Sequence, residues 1–131
     1  MRIERASFGR GAWPRSYFLE LYRDSGGFFV IAKLSGRIAG YAVACLEKTH
    51  GEIASLAVAP DYRRSGVAVA LMRHLLRALK PAGARRATLT VRTDNTAGIR
   101  LYRSLGFRKV RLAAGYYEDG GDAFVMTRAI Q

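Results

Sequence analysis

The sequence has a single cysteine, Cys45, among its 131 residues. A disulfide within the chain is therefore excluded. Because Cys45 stands inside an apolar run, a buried small hydrophobic side chain is a simpler interpretation than a nucleophile. The two histidines, His50 and His74, have metal-ligand spacing neither to each other nor to Cys45. The sequence thus predicts no metal site.

Long apolar runs and an apolar leader are also absent. No apolar stretch approaches the ~18 residues that a membrane-spanning helix needs, and the first residues, MRIERASFGRGAW, lack the apolar centre of a signal peptide. These absences predict a cytoplasmic protein without a membrane partner. The length predicts one domain with one hydrophobic core, residues 1–131.

Acidic residues are scarce, since 10 Asp and Glu stand against 22 Lys and Arg, giving a net charge of +12. Such charge is typical of a protein that attracts a phosphorylated cofactor, of one that contacts a ribosome or nucleic acid, and of an arginine-rich surface without a specific partner. The aromatic residues are not interleaved with the basic ones as a base-stacking surface requires. Attraction of a cofactor is therefore favoured, and ribosome association stays open.

Neither common nucleotide-binding fingerprint, G-x-x-x-x-G-K-[ST] or G-x-G-x-x-G, occurs, yet residues 52–80 have the pattern of a strand, a turn and a helix. The apolar run from Ile53 to Val58 predicts a strand, and apolar residues at helical spacing from Val67 predict a helix that begins near Gly66. Between them the turn YRRSG, residues 62–66, brings two cations and a glycine to the helix N-terminus. Unpaired backbone N–H groups at such a terminus can hold a phosphate.

Elsewhere the patterns predict strands at 28–34, 38–48, 87–92, 107–113 and 123–129, and a helix at 96–105. At the N-terminus, Arg2 to Phe8 resembles the end of a helix, and a second helix opened by Trp13 and Pro14 is predicted to continue until Ser25. Two strand-helix-strand passages with antiparallel flanks predict the α/β (α+β) class, with a mixed, mostly antiparallel sheet and helices on both faces.

Three stretches, in this order, resemble the GNAT superfamily of N-acetyltransferases. Arg63-x-x-Gly66-x-Ala68 is similar to its acetyl-CoA pyrophosphate loop, [Q/R]-x-x-G-x-[G/A]. The stretches VRTDNTAGIRLYRSLGF, residues 91–107, and YYEDGGDAFVM, residues 116–126, resemble the ribosomal-protein N-terminal alanine acetyltransferases of that superfamily. The resemblance implies the GNAT fold and transfer of an acetyl group from acetyl-CoA to an amine, most closely a protein or peptide N-terminus, by direct attack in a ternary complex.

The resemblance also implies roles for individual residues. The pyrophosphate is expected on the backbone of residues 64–69, the pantetheine arm along residues 56–58, and Tyr102 beside the sulfur as general acid. The expected cofactor-binding residues are Leu56, Ala57, Val58, Arg63, Arg64, Ser65, Gly66, Val67, Ala68, Val69, Asn95 and Tyr102. Two alternatives stay open, since Asn95 could be a plain helix N-cap and Tyr102 a residue that anchors its helix to the sheet.

Tyr116 and Tyr117 are expected to line the acceptor groove, as related N-terminal acetyltransferases use such tyrosines against the peptide backbone. The acidic residues that follow, Glu118, Asp119 and Asp122, are expected to attract a cationic amine. Packing within a hairpin, with the acidic run as a solvated turn, is the alternative. At pH 7 an α-amino group of pKa ~7.7 to 8.0 is ~10% neutral, whereas a lysine is neutral about 1 time in 2,500. An enzyme without a strong base therefore suits N-terminal amines. Lysine side chains, polyamines or small amines are alternative acceptors, and a weakly active acetyl-CoA-binding module is the alternative to an enzyme.

The chain departs from the family at two places. Thr90 stands where the N-terminal alanine acetyltransferases carry a glutamate proposed as general base. Glu52, in a strand that resembles the glutamate-bearing strand of the histone lysine acetyltransferases, is the substitute we predict; a period of two places it on one face with Ala54, Leu56 and Val58. A solvated glutamate just after a glycine turn is the alternative. The first strand of the family is expected to be missing, which would leave a sheet edge that invites a second copy of the chain.

Overall fold

The computed structural model describes residues 2–7, 18–23, 28–63 and 66–131. Within these residues the strands are β1 (Arg2–Ser7), β2 (Phe18–Arg23), β3 (Phe29–Leu34), β4 (Arg37–Glu47), β5 (His50–Val58), β6 (Arg86–Arg92), β7 (Arg108–Ala113) and β8 (Ala123–Ala129). The helices are α1 (Val67–Leu79) and α2 (Thr96–Ser104), with a short 3-10 helix at Pro60–Tyr62. The strands and helices predicted between residues 28 and 129 are thus confirmed.

The described strands form one sheet in the order β1-β2-β3-β4-β5-β6-β8-β7. Neighbouring strands are antiparallel except for β5 and β6, which are parallel. This is the mixed, mostly antiparallel sheet that the sequence predicts. The parallel pair is needed because α1 carries the chain from the end of β5 back to the start of β6.

The two helices predicted at the N-terminus are wrong. Arg2–Ser7 is the edge strand β1, and it pairs with β2 from Arg2 and Arg23 to Ser7 and Phe18. The described chain therefore begins with a strand where the end of a helix was predicted. In β2, Leu19 and Leu21 are buried whereas Glu20 and Tyr22 are partly exposed, so the run has a period of two, although its apolar spacing also fits a helix. Trp13, Pro14 and Ser25, on which the second helix was predicted, lie outside the described residues.

Both described helices pack on the same face of the sheet. Gly51, Ala87 and Arg128 form one row across β5, β6 and β8. A Cβ at Gly51 would lie 3.1 Å from Leu79 of α1, and Arg128 donates a 2.7 Å hydrogen bond to the backbone oxygen of Leu105, just after α2. Right-handed crossovers that advance in one direction put their helices on one face. The two helices that the structure describes therefore lie on one face of the sheet.

The opposite face of β3 to β5 carries side chains that remain accessible. Phe29 and Tyr41 stack there with ring centroids 6.1 Å apart, and both are exposed. Cys45 lies on this face and is exposed, so its predicted burial is wrong. The apolar run of β4 suggested burial on both sides, but α1 covers only the side that carries Ala42 and Ala44. None of the described helices has the length and hydropathy to cross a membrane.

Gly40→Ala is expected to destabilise the sheet where β5 approaches its end. A Cβ at Gly40 would lie 2.5 Å from the backbone oxygen of Ala57 and 3.2 Å from Cδ1 of Leu71. Because the nearer atom is backbone, relief requires the two strands to separate, which we expect to lower the free energy of unfolding by about 1–3 kcal/mol. Urea denaturation of the variant measures this loss. A variant as stable as the wild type would show that β4 and β5 separate freely there.

Candidate functional site

The two parallel strands at the centre of the sheet are paired over three residue pairs only, from His50 and Arg86 to Glu52 and Thr88. Past these pairs β5 is bonded only to β4, and β6 only to β8, among the strands that the structure describes. The strands therefore diverge toward their carboxyl ends. We call the opening between residues 53–58 and 89–92 the wedge.

The predicted pantetheine-binding residues line the wedge. Leu56, Ala57 and Val58 are partly buried and pair with β4 along one side, whereas their other side has no strand partner within the described chain. Such an edge offers backbone N–H and C=O groups to an extended ligand, in the way that a sheet edge accepts an added strand.

The N-terminus of α1 stands at the open end of the wedge, directly after β5. Gly66 is its N-cap with φ 89°, no side chain caps the helix, and its first turn contains no acidic residue. The first bond within the helix runs from Ala70 N to Gly66 O at 3.0 Å, so the N–H groups of residues 67–69 have no acceptor within the helix. Together with the helix dipole they form a site suited to an anion. Arg63 is exposed beside it; Arg64 and Ser65 lie outside the described residues.

Asn95 caps the second helix at the wedge. Its Oδ1 accepts a 2.9 Å hydrogen bond from Gly98 N, so the plain N-cap interpretation is confirmed. A Cβ at Gly98 would lie 2.6 Å from Asn95 Nδ2, which explains a glycine inside this helix. A contact between Asn95 and a cofactor stays a prediction, and its amide nitrogen is the group left to make it.

Tyr102 projects from α2 into a partly buried position, its ring edge-on to Phe107 with centroids 6.1 Å apart. Burial, and secondly the nearby phenol of Tyr117, raise the pKa of Tyr102 above its ordinary value of 10.0. The hydroxyl therefore keeps its proton throughout the neutral range, as a general acid must.

The raised pKa of Tyr102 predicts a loss of stability at alkaline pH. A tyrosine whose pKa is higher in the folded than in the unfolded state contributes stability that is fully present below ~10, its unfolded pKa, and is lost as the pH rises through the folded pKa. Urea denaturation between pH 8 and 11 should show a steeper loss above pH ~10 for the wild type than for Tyr102→Phe. If the wild type and Tyr102→Phe lost stability with pH at the same rate, the raised pKa of Tyr102 would be contradicted.

The loop between β7 and β8, residues 114–122, brings Tyr117 to this site. Tyr116 and Tyr117 contact each other edge to face at 5.0 Å, with Tyr116 exposed and Tyr117 partly buried. The Arg92 guanidinium at the end of β6 lies 4.0 Å from the centre of the Tyr117 ring and pairs with Asp119 at 3.1 Å. No role was predicted for Arg92, and Asp119 was predicted to attract a cationic amine, whereas in the structure its carboxylate pairs with Arg92.

Glu52 lies at the closed end of the wedge, in the last pair that joins β5 to β6, and is exposed. The prediction that it shares a face with Leu56 and Val58 is wrong. A β-bulge shifts the pairing between β4 and β5, so that Ala54 is an extra residue. Past the bulge the alternation is inverted, and Glu52 shares the face opposite α1 with Ser55 and Ala57.

Thr90 is exposed and follows Thr88 by two residues on the strand beside Glu52. Thr88 and Thr90 therefore share the face of Glu52, and Glu52 is the carboxylate that the pairing places at that end of the wedge. Across the described part of the chain, no cluster of three or more His, Cys, Asp or Glu side chains has an arrangement suited to a metal ion.

Comparison with protein families gives a match to the Acetyltransferase (GNAT) family over residues 1–107. Among curated proteins, the N-alpha-acetyltransferase of Sulfolobus acidocaldarius is 32% identical over 139 aligned positions that cover 96% of this chain and 82% of that protein.

Two solved structures are also similar to this chain. The ribosomal-protein-S18-alanine N-acetyltransferase of Escherichia coli superposes with a TM-score of 0.74 at 32% identity, covering 83% of this chain and 72% of that one. Naa50 of Arabidopsis thaliana, solved with the bisubstrate analogue CoA-Ac-MVNAL, gives a TM-score of 0.72 at 25% identity, covering 82% and 81% of the two chains.

Proposed function

Because the chain belongs to the acetyltransferase (GNAT) family, we propose that this acyltransferase moves the acetyl group of acetyl-CoA to the N-terminal amine of a protein or peptide. The relatives from Sulfolobus acidocaldarius and Escherichia coli are named for that kind of acceptor. The observation that carries the proposal is the wedge between β5 and β6 beside the uncapped N-terminus of α1. An extended arm with a diphosphate at one end fits a strand edge that leads to an anion site.

Different groups of described residues suit the two ends of such a ligand. The free N–H groups of Val67, Ala68 and Val69 suit the diphosphate, and Arg63 adds positive charge beside them. The backbone of residues 56–58, which has no strand partner on the side of the wedge, suits the pantetheine arm. An N–H group there can stabilise the thioester oxygen as it gains charge. Arg64 and Ser65 are proposed to complete the diphosphate site.

The reaction needs one proton removed and one supplied. The amine nitrogen attacks the thioester carbonyl carbon, the carbon–sulfur bond breaks, and the sulfur takes a proton while the amine loses one. We assign the supplied proton to Tyr102, whose raised pKa keeps it protonated, and the removed proton to Glu52. Since α1 and α2 cover one face of the sheet, the acceptor reaches the wedge from the opposite face, where Glu52 is exposed.

Glu52→Gln is expected to change the pH dependence of the reaction. Without the carboxylate, the rate follows the neutral fraction of the α-amine, so kcat/KM should fall about tenfold at pH 7 and approach the wild-type value near pH 9. Glu47→Gln, an equally exposed carboxamide substitution on β4, should leave the profile unchanged. Superimposable profiles for Glu52→Gln and wild type would remove Glu52 from this role.

The acceptor class is decided by thiol release with a panel of amines. We expect turnover with peptides that have a free N-terminus, and little with N-terminally blocked lysine peptides or polyamines, whose amines are almost fully charged at pH 7. Stabilisation of the protein by acetyl-CoA without thiol release from any acceptor would identify a binding module instead.

A ribosome-facing surface is a further proposal, favoured by the outer side of the helices. Arg73 and Arg77 on α1, and Arg100 and Arg103 on α2, are exposed, neither helix contains an acidic residue, and none of the four makes an ion pair with a described residue. Such a surface suits an RNA backbone. Replacing all four with glutamine should flatten the salt dependence of ribosome binding and leave peptide acetylation unchanged; an unaltered salt dependence would refute the assignment.

Two smaller expectations remain proposals. A homodimer was proposed because a sheet edge invites a second copy of the chain; the described sheet has its edges at β1 and β7, and β7 exposes Val110 and Leu112, so sedimentation velocity is the measurement that decides. A cytoplasmic location is proposed because acetyl-CoA and newly made protein N-termini meet there, and cell fractionation tests it.

A further inference from the structure

We propose that Arg92 and Asp119 are positioning residues that fasten loop 114–122 to the end of β6 and thereby hold Tyr117 beside Tyr102 for the acceptor. The proposal rests on the proposed function, since it assigns these two residues to the acceptor side of that site. We call the pair the loop clamp.

The loop clamp joins one strand residue to two loop residues. Arg92 Nη2 lies 3.1 Å from Asp119 Oδ2 and Nη1 donates to Oδ1 at 3.3 Å, while the guanidinium carbon lies 4.0 Å from the centre of the Tyr117 ring. A guanidinium can hold a carboxylate in two-point geometry and stack on an aromatic ring at the same time. The position of Tyr117 is therefore tied to the end of β6.

The rest of the loop is closed by its own hydrogen bonds. Asp119 Oδ1 accepts from Gly121 N at 2.9 Å, and Tyr117 N donates to Gly121 O at 3.1 Å. The backbone bond to Gly121, and next the Arg92 guanidinium, hold the pKa of Asp119 below its ordinary value. The carboxylate is thus charged wherever the enzyme works. Besides the contact with Arg92, the loop is joined to the residue after β6 by a bond from Thr93 N to Asp122 O at 3.1 Å.

Because the Arg92–Asp119 ion pair is exposed, its effect on the position of the loop can be distinguished from its effect on protein stability. The side chains of Arg92 and Asp119 are 41% and 63% exposed, and exposed ion pairs contribute little to the free energy of unfolding. The contact nevertheless decides where Tyr117 lies, and Tyr117 is close enough to Tyr102 to raise its pKa. Loss of the loop clamp should therefore impair acceptor use far more than folding.

Arg92→Met and Asp119→Ala test the proposal. Each is expected to raise the KM for an acceptor peptide roughly tenfold, since small misplacements of positioning groups have effects of this size and larger, and to leave the KM for acetyl-CoA unchanged. The double variant should lose less than the two single variants combined, because both changes remove the same ion pair. Arg92→Lys should recover part of the loss. Arg111→Met and Glu47→Ala, exposed residues outside the site, should behave like the wild type.

Gly121→Ala disturbs the contact without removing either partner. A Cβ there would lie 2.5 Å from Arg92 Nη1 and 3.0 Å from Asp119 Oδ1, so both side chains must shift to make room. The variant keeps all charges and should raise the acceptor KM, by less than Arg92→Met does.

Amide hydrogen exchange gives a readout that is independent of activity. The Gly121 and Tyr117 N–H groups should exchange faster in Arg92→Met than in the wild type or Arg111→Met. Asp119→Ala also removes the acceptor of Gly121 N, so in that variant only the Tyr117 N–H reports on the loop clamp. Unchanged exchange, or faster exchange with an unchanged acceptor KM, would overturn the loop clamp. If the wild type acetylated no peptide, the proposed function would fail, and with it the clamp's role in acceptor binding, while exchange would still report whether the contact holds the loop.

Discussion

Replacing Tyr102 with phenylalanine is expected to lower kcat by about 10²- to 10⁴-fold, the range of a lost general acid. The thiolate that leaves the acetyl group needs a proton, and Tyr102 is a partly buried phenol whose pKa is raised by burial and by Tyr117. A phenol above pKa ~10 stays protonated at neutral pH and can share that proton as negative charge develops on a sulfur of pKa ~8.5. Phenylalanine keeps the ring and its edge contact with Phe107, so the change isolates the hydroxyl.

The effect should be confined to turnover. Thermal stabilisation by acetyl-CoA should be close to that of the wild type, because the diphosphate end of the site is untouched. Tyr41→Phe is the matched control, since it removes an exposed hydroxyl on the face opposite the helices. If Tyr102→Phe retained kcat within about threefold of wild type, the proton would have to come from elsewhere and Tyr102 would only anchor its helix.

Sequence patterns predicted the central part of the fold correctly because the residues that determine each element there are close together in the sequence. The strand before Pro60, the helix after Gly66 and the cap at Asn95 each depend on residues within a few positions of one another. The N-terminus was mispredicted because a run with bulky residues at 17, 18, 21 and 22 fits a helix as well as a strand, and only pairing with a distant strand decides. Tertiary contacts determined that outcome.

The candidate site shows the same limit. The helix cap at Asn95 was predicted correctly, but the face of Glu52 depends on Ala54 being an extra residue in its strand. Nothing in the run EIASLAV marks that position, because a bulge of this kind is defined by its partner strand. The contact between Arg92 and Asp119 could not be predicted from the sequence either, because the two residues are 27 positions apart.

Gly66→Ala is expected to weaken acetyl-CoA binding about 10- to 100-fold, equivalent to about 1.4–2.7 kcal/mol. Gly66 has φ 89°, a conformation that costs an alanine roughly 1–2 kcal/mol, and it stands where the backbone must approach the phosphates closely. To escape the strain, the first turn of α1 must rotate its N–H groups away from the anion site. Isothermal titration with acetyl-CoA, or the thermal shift at a fixed concentration, measures the loss.

Gly83→Ala is the control that distinguishes damage to the anion site from the strain of placing alanine at a positive φ. Gly83 has φ 101°, a Cβ added there would meet no atom within 4 Å, and the residue follows α1 at the end remote from Gly66. Both variants should therefore lose a similar free energy of unfolding, about 1–2 kcal/mol, whereas only Gly66→Ala should lose cofactor affinity. Equal affinities for the two variants would mean that the α1 N-terminus does not hold the diphosphate, and the enzymatic role of the wedge would then lose its physical basis.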